Sequence, residues 1–365
     1  YWNKSVACAY GWFQTFVYYP TITCVVAWVV GIYGIILFGL NSTLELQIII
    51  GIIVITFLYL LNILSYKFGG YLQNTSTVIK MIPLILIAIL GLIFGNPAPI
   101  IKENIINIQS SGIGWIAAIS PIAFSFDGWI ISTSIGHEIK NSKKNLPLAL
   151  VISPIIILAI YIIYFVGIST YLDPKTVMEM GDEHVSQAAI NIFGNMGAKI
   201  ILTFVVISVL GTVNGLIIGI IRIPYSLSIR NMFPFSHKYN TVSEKYSVPV
   251  NSGILTYFIN LLWMLAHYIT QKFNLIPNSD VSEISIVINY LGFILIYLAV
   301  IKLALKGEIK SKVMGYLVPA LAIFGSLFIL YGGMQNPFFI YYMSFCVIII
   351  IISLIYYNKN KDIIK

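Results

Sequence analysis

Long apolar runs, separated by short polar segments, make up most of this 365-residue chain. A helix that crosses the hydrocarbon core of a bilayer needs about 20 apolar residues. The runs do not alternate with polar residues as barrel strands do, so the pattern favours helices over a membrane β-barrel. We predict a single transmembrane domain covering residues 1–365, with ten spans near 7–39, 44–66, 72–95, 114–135, 146–171, 197–229, 249–270, 284–305, 314–333 and 337–357.

Composition points the same way, because apolar residues are 59% of the chain and charged residues only 9%. Soluble domains carry about 25% charged residues, so this chain could not cover its surface in water. We therefore expect an all-α membrane protein whose solvent is lipid. The net charge of +8 does not indicate a nucleic-acid partner, because the basic residues lie in short loops between apolar runs.

The loop charges predict an orientation. Only Lys102, Lys175, Lys199 and Lys272 of the 21 basic residues fall in one set of alternating loops. Cytoplasmic loops of membrane proteins are enriched in Lys and Arg. We therefore expect the loops with only four basic residues to lie outside a cell membrane and both chain ends to lie in the cytoplasm. The outside loops instead collect acidic residues: Glu45, Glu103, Asp173, Glu179, Asp182, Glu183, Asp280 and Glu283.

Lys80 lies within the third predicted span, about a third of the way in from its cytoplasmic end. Ionisable residues inside a membrane are costly and mark function by default. One interpretation is an ammonium group that takes the place of a coupling cation. The other is a lysine whose long side chain reaches back to the lipid headgroups.

The fourth span contains the most informative stretch, residues 120–129. Pro121 lacks a backbone donor and Gly128 disfavours helix, which together predict a discontinuous helix around Asp127. Broken membrane helices present bare peptide groups to charged ligands, which suits a zwitterion such as an amino acid. The alternative is a packed proline kink in which Asp127 bonds to a hydroxyl. The candidate substrate-binding residues are Phe124, Ser125, Phe126, Asp127, Gly128 and Trp129.

A second polar stretch, residues 211–215, interrupts the sixth span. Small and amide residues inside a membrane helix serve close packing and interhelical hydrogen bonds, so Thr212 and Asn214 are candidates for a supporting role. Soluble-type catalytic motifs are missing from the sequence, and Asp127 has no second membrane-embedded carboxylate. The three cysteines show no metal-binding spacing. We therefore expect no enzyme activity, cofactor or metal.

These motifs resemble the amino acid–polyamine–organocation permeases, most closely the L-type exchangers and their bacterial relatives. The resemblance implies a LeuT-like bundle of two inverted five-helix repeats. It also implies that Phe124 is a gate, that the backbone of Ser125–Asp127 receives the substrate amino group, and that Lys80 occupies the place of a sodium ion. The segments that carry the resemblance are 73–80, 124–129, 137–141, 144–150 and 211–215, together with Arg222.

The chain departs from that family in two respects. Ser142 replaces the proline that usually follows Asn141. The family has twelve helices, and the first span here resembles the third of them. The resemblance therefore predicts an N-terminally incomplete bundle of about ten helices, without the first helix that binds the substrate carboxylate.

We accordingly predict a secondary active transporter of amino acids that works by alternating access, as a sodium-independent exchanger or coupled to protons. The alternatives are an amino-acid sensor on the same scaffold and an inactive, truncated permease. The expected partners are an amino acid, as a small-molecule substrate, and the lipid bilayer. An accessory subunit, the identity of the amino acid and the oligomeric state are left open by the sequence.

Overall fold

The computed structural model describes residues 2–96, 114–134, 136, 139–277 and 279–364. Lys102 and Glu103 of the predicted outside loops lie outside the described residues, as do His137 and Glu138 of the permease-like motif. Within the described ranges every regular element is a helix, so the predicted all-α class is confirmed.

Apolar composition accounts for the long helices, and a few helices also begin at a side-chain cap; Thr43, for example, accepts a hydrogen bond from the backbone N–H of Leu46 at the start of the second long helix. A π-helical segment, Gln14–Tyr18, joins the first two helices, and a second one, Val313–Leu317, leads into α13. The helices are α1 (Lys4–Phe13), α2 (Tyr19–Phe38), α3 (Leu44–Leu64), α4 (Tyr66–Phe94), α5 (Ile119–Ser125), α6 (Ile131–Ser134), α7 (Ser142–Leu172), α8 (Pro174–Met180), α9 (His184–Ser228), α10 (Ser236–Tyr239), α11 (Val250–Lys272), α12 (Glu283–Leu305), α13 (Val318–Gly333) and α14 (Phe339–Lys359).

Nine helical stretches among the described residues are long and apolar enough to cross a membrane. They overlap nine of the ten predicted spans. In the predicted span 114–135 the described residues form instead a 3-10 helix, Gly114–Ala118, and two short helices, α5 and α6, on either side of a turn. The predicted span 197–229 marks only the later part of α9, which begins at His184 and kinks at Gly194 (φ 70°). The ten-span topology of one transmembrane domain stays a prediction.

The chain divides into two compact units, and unit 1 comprises residues 1–25, 114–127 and 216–365. In unit 1 the centroid of the Trp12 ring lies 5.8 Å from the ring centroid of Phe233 and 5.5 Å from that of Tyr356. The Trp12 indole N–H also donates to the Met232 carbonyl at 2.9 Å. These contacts hold α1 against the segment that follows α9 and against α14, while α5 packs on α12 and α13.

Unit 2 comprises residues 26–113 and 128–215. Its helices α4 and α7 approach each other closely at two glycines. A Cβ atom on Gly91 would lie 2.4 Å from the Gly167 carbonyl oxygen, and one on Gly167 would lie 2.4 Å from the Ala88 oxygen. Small residues at such crossings let membrane helices pack backbone against backbone.

Candidate functional site

The predicted helix break is present, and it follows Ser125, the last residue of α5. Residues 126–130 form turns, and the chain becomes helical again at Ile131. Pro121 is not the cause, because it lies in the first turn of α5, where its missing N–H is tolerated. Gly128 adopts φ +100°, a backbone conformation that favours glycine, and this residue permits the turn between the two helical segments.

Local hydrogen bonds support the backbone on both sides of the break. The Asp127 N–H donates to the Phe124 carbonyl, and the Ile131 N–H donates to the Gly128 carbonyl, each at 3.1 Å. The Ser125 hydroxyl donates to the Ile122 carbonyl at 2.7 Å. Hydroxyl groups thus satisfy carbonyls that a continuous helix would bond to backbone amides, as is found in broken membrane helices.

The candidate substrate-binding residues differ in exposure. Ser125 is exposed, and Phe124, Phe126, Asp127 and Trp129 are half-buried. The Tyr18 hydroxyl, on a fully buried side chain of the π segment, donates to Asp127 Oδ2 at 2.7 Å. Asp127 therefore bonds to a hydroxyl, as the packed-kink alternative expects, although the helix beside it is broken.

Tyr18 belongs to a row of polar residues that the sequence analysis missed. Tyr10, Gln14, Tyr18 and Thr21 follow one another at intervals of four, four and three residues, the spacing of one helix face. The Thr21 hydroxyl donates to Ser285 Oγ of α12 at 2.8 Å. We call these four residues the polar row. Their helical spacing inside an apolar span was the signal available in the sequence.

The polar row passes through a π-helical segment, Gln14–Tyr18, whose hydrogen bonds span five residues where those of an α-helix span four; the Tyr19 N–H, for example, donates to the Gln14 carbonyl. Such segments occur mostly as single turns inside α-helices and frequently at functional sites. Here the widened turn carries Gln14 at one end and Tyr18 at the other. The polar row, Asp127 and the residues of α12 that contact them all belong to unit 1.

The other predicted residues belong to unit 2. Lys80 is half-buried on α4, one turn after Ser76, whose side chain is fully buried. Asn214 is fully buried; its Nδ2 donates to the Gly69 carbonyl at 3.0 Å, and its Oδ1 accepts from Asn62 Nδ2 at 2.7 Å. Asn214 therefore links α9 to α3 and α4. Thr212 is exposed, and its hydroxyl donates to the Ser208 carbonyl of its own helix.

Metal-binding chemistry has no visible basis in the described part of the chain, where no group of three or more His, Cys, Asp or Glu side chains is placed to hold an ion. The side chains around Asp127 in unit 1 are instead aromatic, hydroxyl and carboxyl groups. These groups can bind an organic ligand through hydrogen bonds and apolar contact, with a carboxyl group available to a cation.

Comparison with known proteins identifies the family. The model of a family described as amino acid permease matches residues 1–355. The serine/threonine exchanger SteT of Bacillus subtilis is 31% identical over 325 residues, which are 88% of this chain and 71% of the relative. The mouse b(0,+)-type amino acid transporter 1 is 26% identical over 316 residues, 83% of this chain and 60% of the relative. The human cystine/glutamate transporter is 24% identical over 232 residues, 61% of this chain and 45% of the relative.

Proposed function

Because the chain belongs to the amino acid permease family, we propose that it transports amino acids across the membrane as a secondary transporter. It is a multi-pass protein of the cell membrane, with nine apolar helices of sufficient length among its described residues. The family match confirms the resemblance drawn from the motifs around Phe124–Trp129.

The names of the relatives favour exchange. SteT is named a serine/threonine exchanger, the mouse relative a b(0,+)-type amino acid transporter and the human relative a cystine/glutamate transporter. By analogy, this chain exchanges one amino acid for another by alternating access, without sodium or with proton coupling. The matched residues cover 71% of SteT and 60% of the mouse relative. The exchange activity of the whole relatives is therefore proposed for this chain by analogy.

The helix break at Phe126–Ile130 carries the proposal. The carboxyl-terminal end of a helix bears partial negative charge, so the end of α5 at Ser125 favours a bound ammonium group. Asp127 adds a carboxyl group at the same place, and the Tyr18 hydroxyl orients it. Phe124, half-buried at the end of α5 in the same unit, provides apolar surface for the rest of the ligand.

Lys80 serves in this proposal as a fixed cation in place of sodium. Its side chain is half-buried in a helix that is otherwise apolar over most of its length. A resident ammonium group would remove the need for a sodium ion and would leave proton coupling or simple exchange as the driving mechanism.

The test is amino-acid exchange in proteoliposomes that contain the purified protein. Liposomes preloaded with unlabelled serine should take up radiolabelled serine faster than empty ones, and replacing external sodium with potassium should change nothing. Protein-free liposomes provide the background. If no member of a panel of the twenty standard amino acids is bound or taken up, the protein is not an amino-acid transporter. Binding without uptake would identify a sensor.

A further inference from the structure

Several helix ends of unit 1 meet on one side of the protein. Asn231, which follows α9, donates from Nδ2 to the carbonyl of Ile363, which follows α14, at 2.7 Å. The Lys4 ammonium group, at the start of α1, donates to the Ile364 carbonyl at 3.3 Å. These bonds hold the start of α1 and the ends of α9 and α14 together.

The same side includes the start of α11 and the end of α12. Asn251 Nδ2 in the first turn of α11 donates to the Lys238 carbonyl of α10 at 2.7 Å. Trp2, which precedes α1, donates from its indole N–H to the Leu295 carbonyl of α12 at 2.7 Å. The Lys302 ammonium group, two turns further along α12, lies 5.1 Å from the centroid of the Trp2 ring. In the orientation predicted from the loop charges, this side faces the cytoplasm.

Exposed basic side chains outnumber acidic ones on this side. The acidic residues in these helix ends and in the connections between them are Glu244, Glu308 and Asp362. We define the basic face by six exposed residues: Lys4, Arg230, Lys238, Lys302, Lys306 and Lys361. The basic face therefore attracts anions.

Aromatic side chains accompany the basic face. Trp2 is 45% exposed and Phe235 is 66% exposed. The Lys238 ammonium group lies 5.4 Å from the centroid of the Phe235 ring. Exposed aromatic rings are enriched where membrane helices pass the lipid headgroups, and lysine side chains there extend their ammonium groups toward the phosphates. Both features indicate that the basic face lies at the level of the headgroups.

We propose that the basic face binds anionic phospholipid headgroups of the inner leaflet, such as phosphatidylglycerol, in preference to zwitterionic phosphatidylcholine. Clusters of about four to eight Lys and Arg side chains at the cytoplasmic ends of membrane helices attract anionic lipids. Lys302 and Lys306 lie one turn apart on one face of α12 and its end, so two ammonium groups can bind one phosphate. This inference is independent of the proposed transport, because lipid binding is measured without uptake.

The first experiment uses the unaltered protein, purified in a neutral detergent. It is incubated with equal amounts of phosphatidylglycerol and phosphatidylcholine that have the same acyl chains, and native mass spectrometry counts the lipids retained. Phosphatidylglycerol should be retained about tenfold more than phosphatidylcholine, and added salt should reduce this preference. Equal retention of the two lipids overturns the proposal.

A competition experiment separates a lipid site from a site for soluble anions. Glycerol 3-phosphate carries the same phosphate chemistry without acyl chains. At matched ionic strength it should leave the retained phosphatidylglycerol unchanged. Its displacement of the lipid would identify a site for soluble phosphates and would contradict the proposal.

The variants locate the site. The triple variant Lys302→Gln, Lys306→Gln and Lys361→Gln should lower the ratio of retained phosphatidylglycerol to phosphatidylcholine about tenfold or more, since each lysine near an anionic surface contributes severalfold in affinity. Replacing the same three residues with arginine should preserve the ratio, because the charge is kept. A ratio unaffected by the three glutamines shows that the basic face is not the site.

The matched control removes three exposed lysines from the loops predicted to lie outside. The control variant carries Lys175→Gln, Lys199→Gln and Lys272→Gln. It should retain the lipid preference of the unaltered protein, and an equal loss in both triple variants would show that net charge alone governs lipid binding. If the first triple variant does not fold, the lipid preference of the unaltered protein and its response to glycerol 3-phosphate decide.

Discussion

Asp127 and Tyr18 show how a single hydrogen bond can link two distant parts of a membrane protein. They are 109 residues apart in sequence, and the 2.7 Å bond between them joins the π segment to the end of α5. A buried carboxyl group needs such a partner, because leaving it without one in an apolar environment is costly. The bond also fixes where Asp127 can meet a ligand.

Tyr18→Phe removes this hydroxyl and leaves the ring in place. We expect amino-acid uptake to fall about tenfold, since a hydrogen bond to a charged group contributes about 1.5 kcal/mol or more. Tyr342→Phe is the matched control, because it also removes a hydroxyl that lies within hydrogen-bond distance, 3.2 Å from the Ser279 hydroxyl. The role assigned to Tyr18 is wrong if the two variants transport equally well.

Lys80 allows a similar test in unit 2. Lys80→Ala should reduce uptake strongly while the amount of protein in the membrane stays near normal, because a missing fixed cation affects the transport cycle more than folding. Lys67→Ala, which alters an exposed lysine on the same helix, is the control. Uptake unchanged by Lys80→Ala would mean that this lysine only extends its ammonium group to the lipid headgroups.

At the scale of helices, the break in residues 126–130 arises from the backbone conformation of Gly128. It does not arise from a lack of space for a side chain at that residue. A Cβ atom on Gly128 would meet nothing closer than 3.6 Å, but its φ of +100° is one that other residues rarely adopt. The proline that suggested the break in the sequence, Pro121, lies in the first turn of α5 and not at its end. Glycine therefore determines the position of the turn.

Gly128→Ala should destabilise the turn by about 1–2 kcal/mol, the cost of a left-handed backbone for a residue with a Cβ atom. We expect a lower thermal unfolding temperature in detergent and slower uptake. Gly325→Ala is the control, because Gly325 lies in α13 with open space around it and without a positive φ. Equal unfolding temperatures for the two variants would contradict this explanation of the break.

Much of the helical fold could be predicted from the sequence because apolar runs alone specify membrane helices. The spans near 44–66 and 284–305 end within a few residues of α3 and α12. Asp127 was found because a carboxylate is rare in such a run. The hydrogen bond between Gln14 of the polar row and Asn289 of α12 could not be predicted, because it joins residues 275 positions apart and no local pattern encodes that pairing.

At the scale of the whole molecule, the uneven distribution of basic residues determines the expected orientation. The connection after α10 carries Lys245, and the one around α8 carries Glu179 and Asp173. The positive-inside rule places the first connection in the cytoplasm and the second outside. This orientation belongs to the chain as a whole, since no single span specifies it.

Cysteine labelling tests the orientation. The three native cysteines are buried, so they contribute little background. Glu179→Cys should react with a membrane-impermeant maleimide on intact cells, and Thr241→Cys should react only after the membrane is permeabilised; both positions are exposed. Labelling in the reverse pattern would invert the topology, and labelling of both on intact cells would break the ten-span prediction.

The π segment Gln14–Tyr18 has a consequence for how this helix tolerates changes of length. It accommodates one residue more than a regular α-helix requires, so deleting a single residue there would let α1 and α2 merge into an uninterrupted α-helix. The helix would still form, but the widened turn from which the Tyr18 hydroxyl contacts Asp127 would be lost. The supernumerary residue is thus dispensable for building the helix and required for its contact with the break.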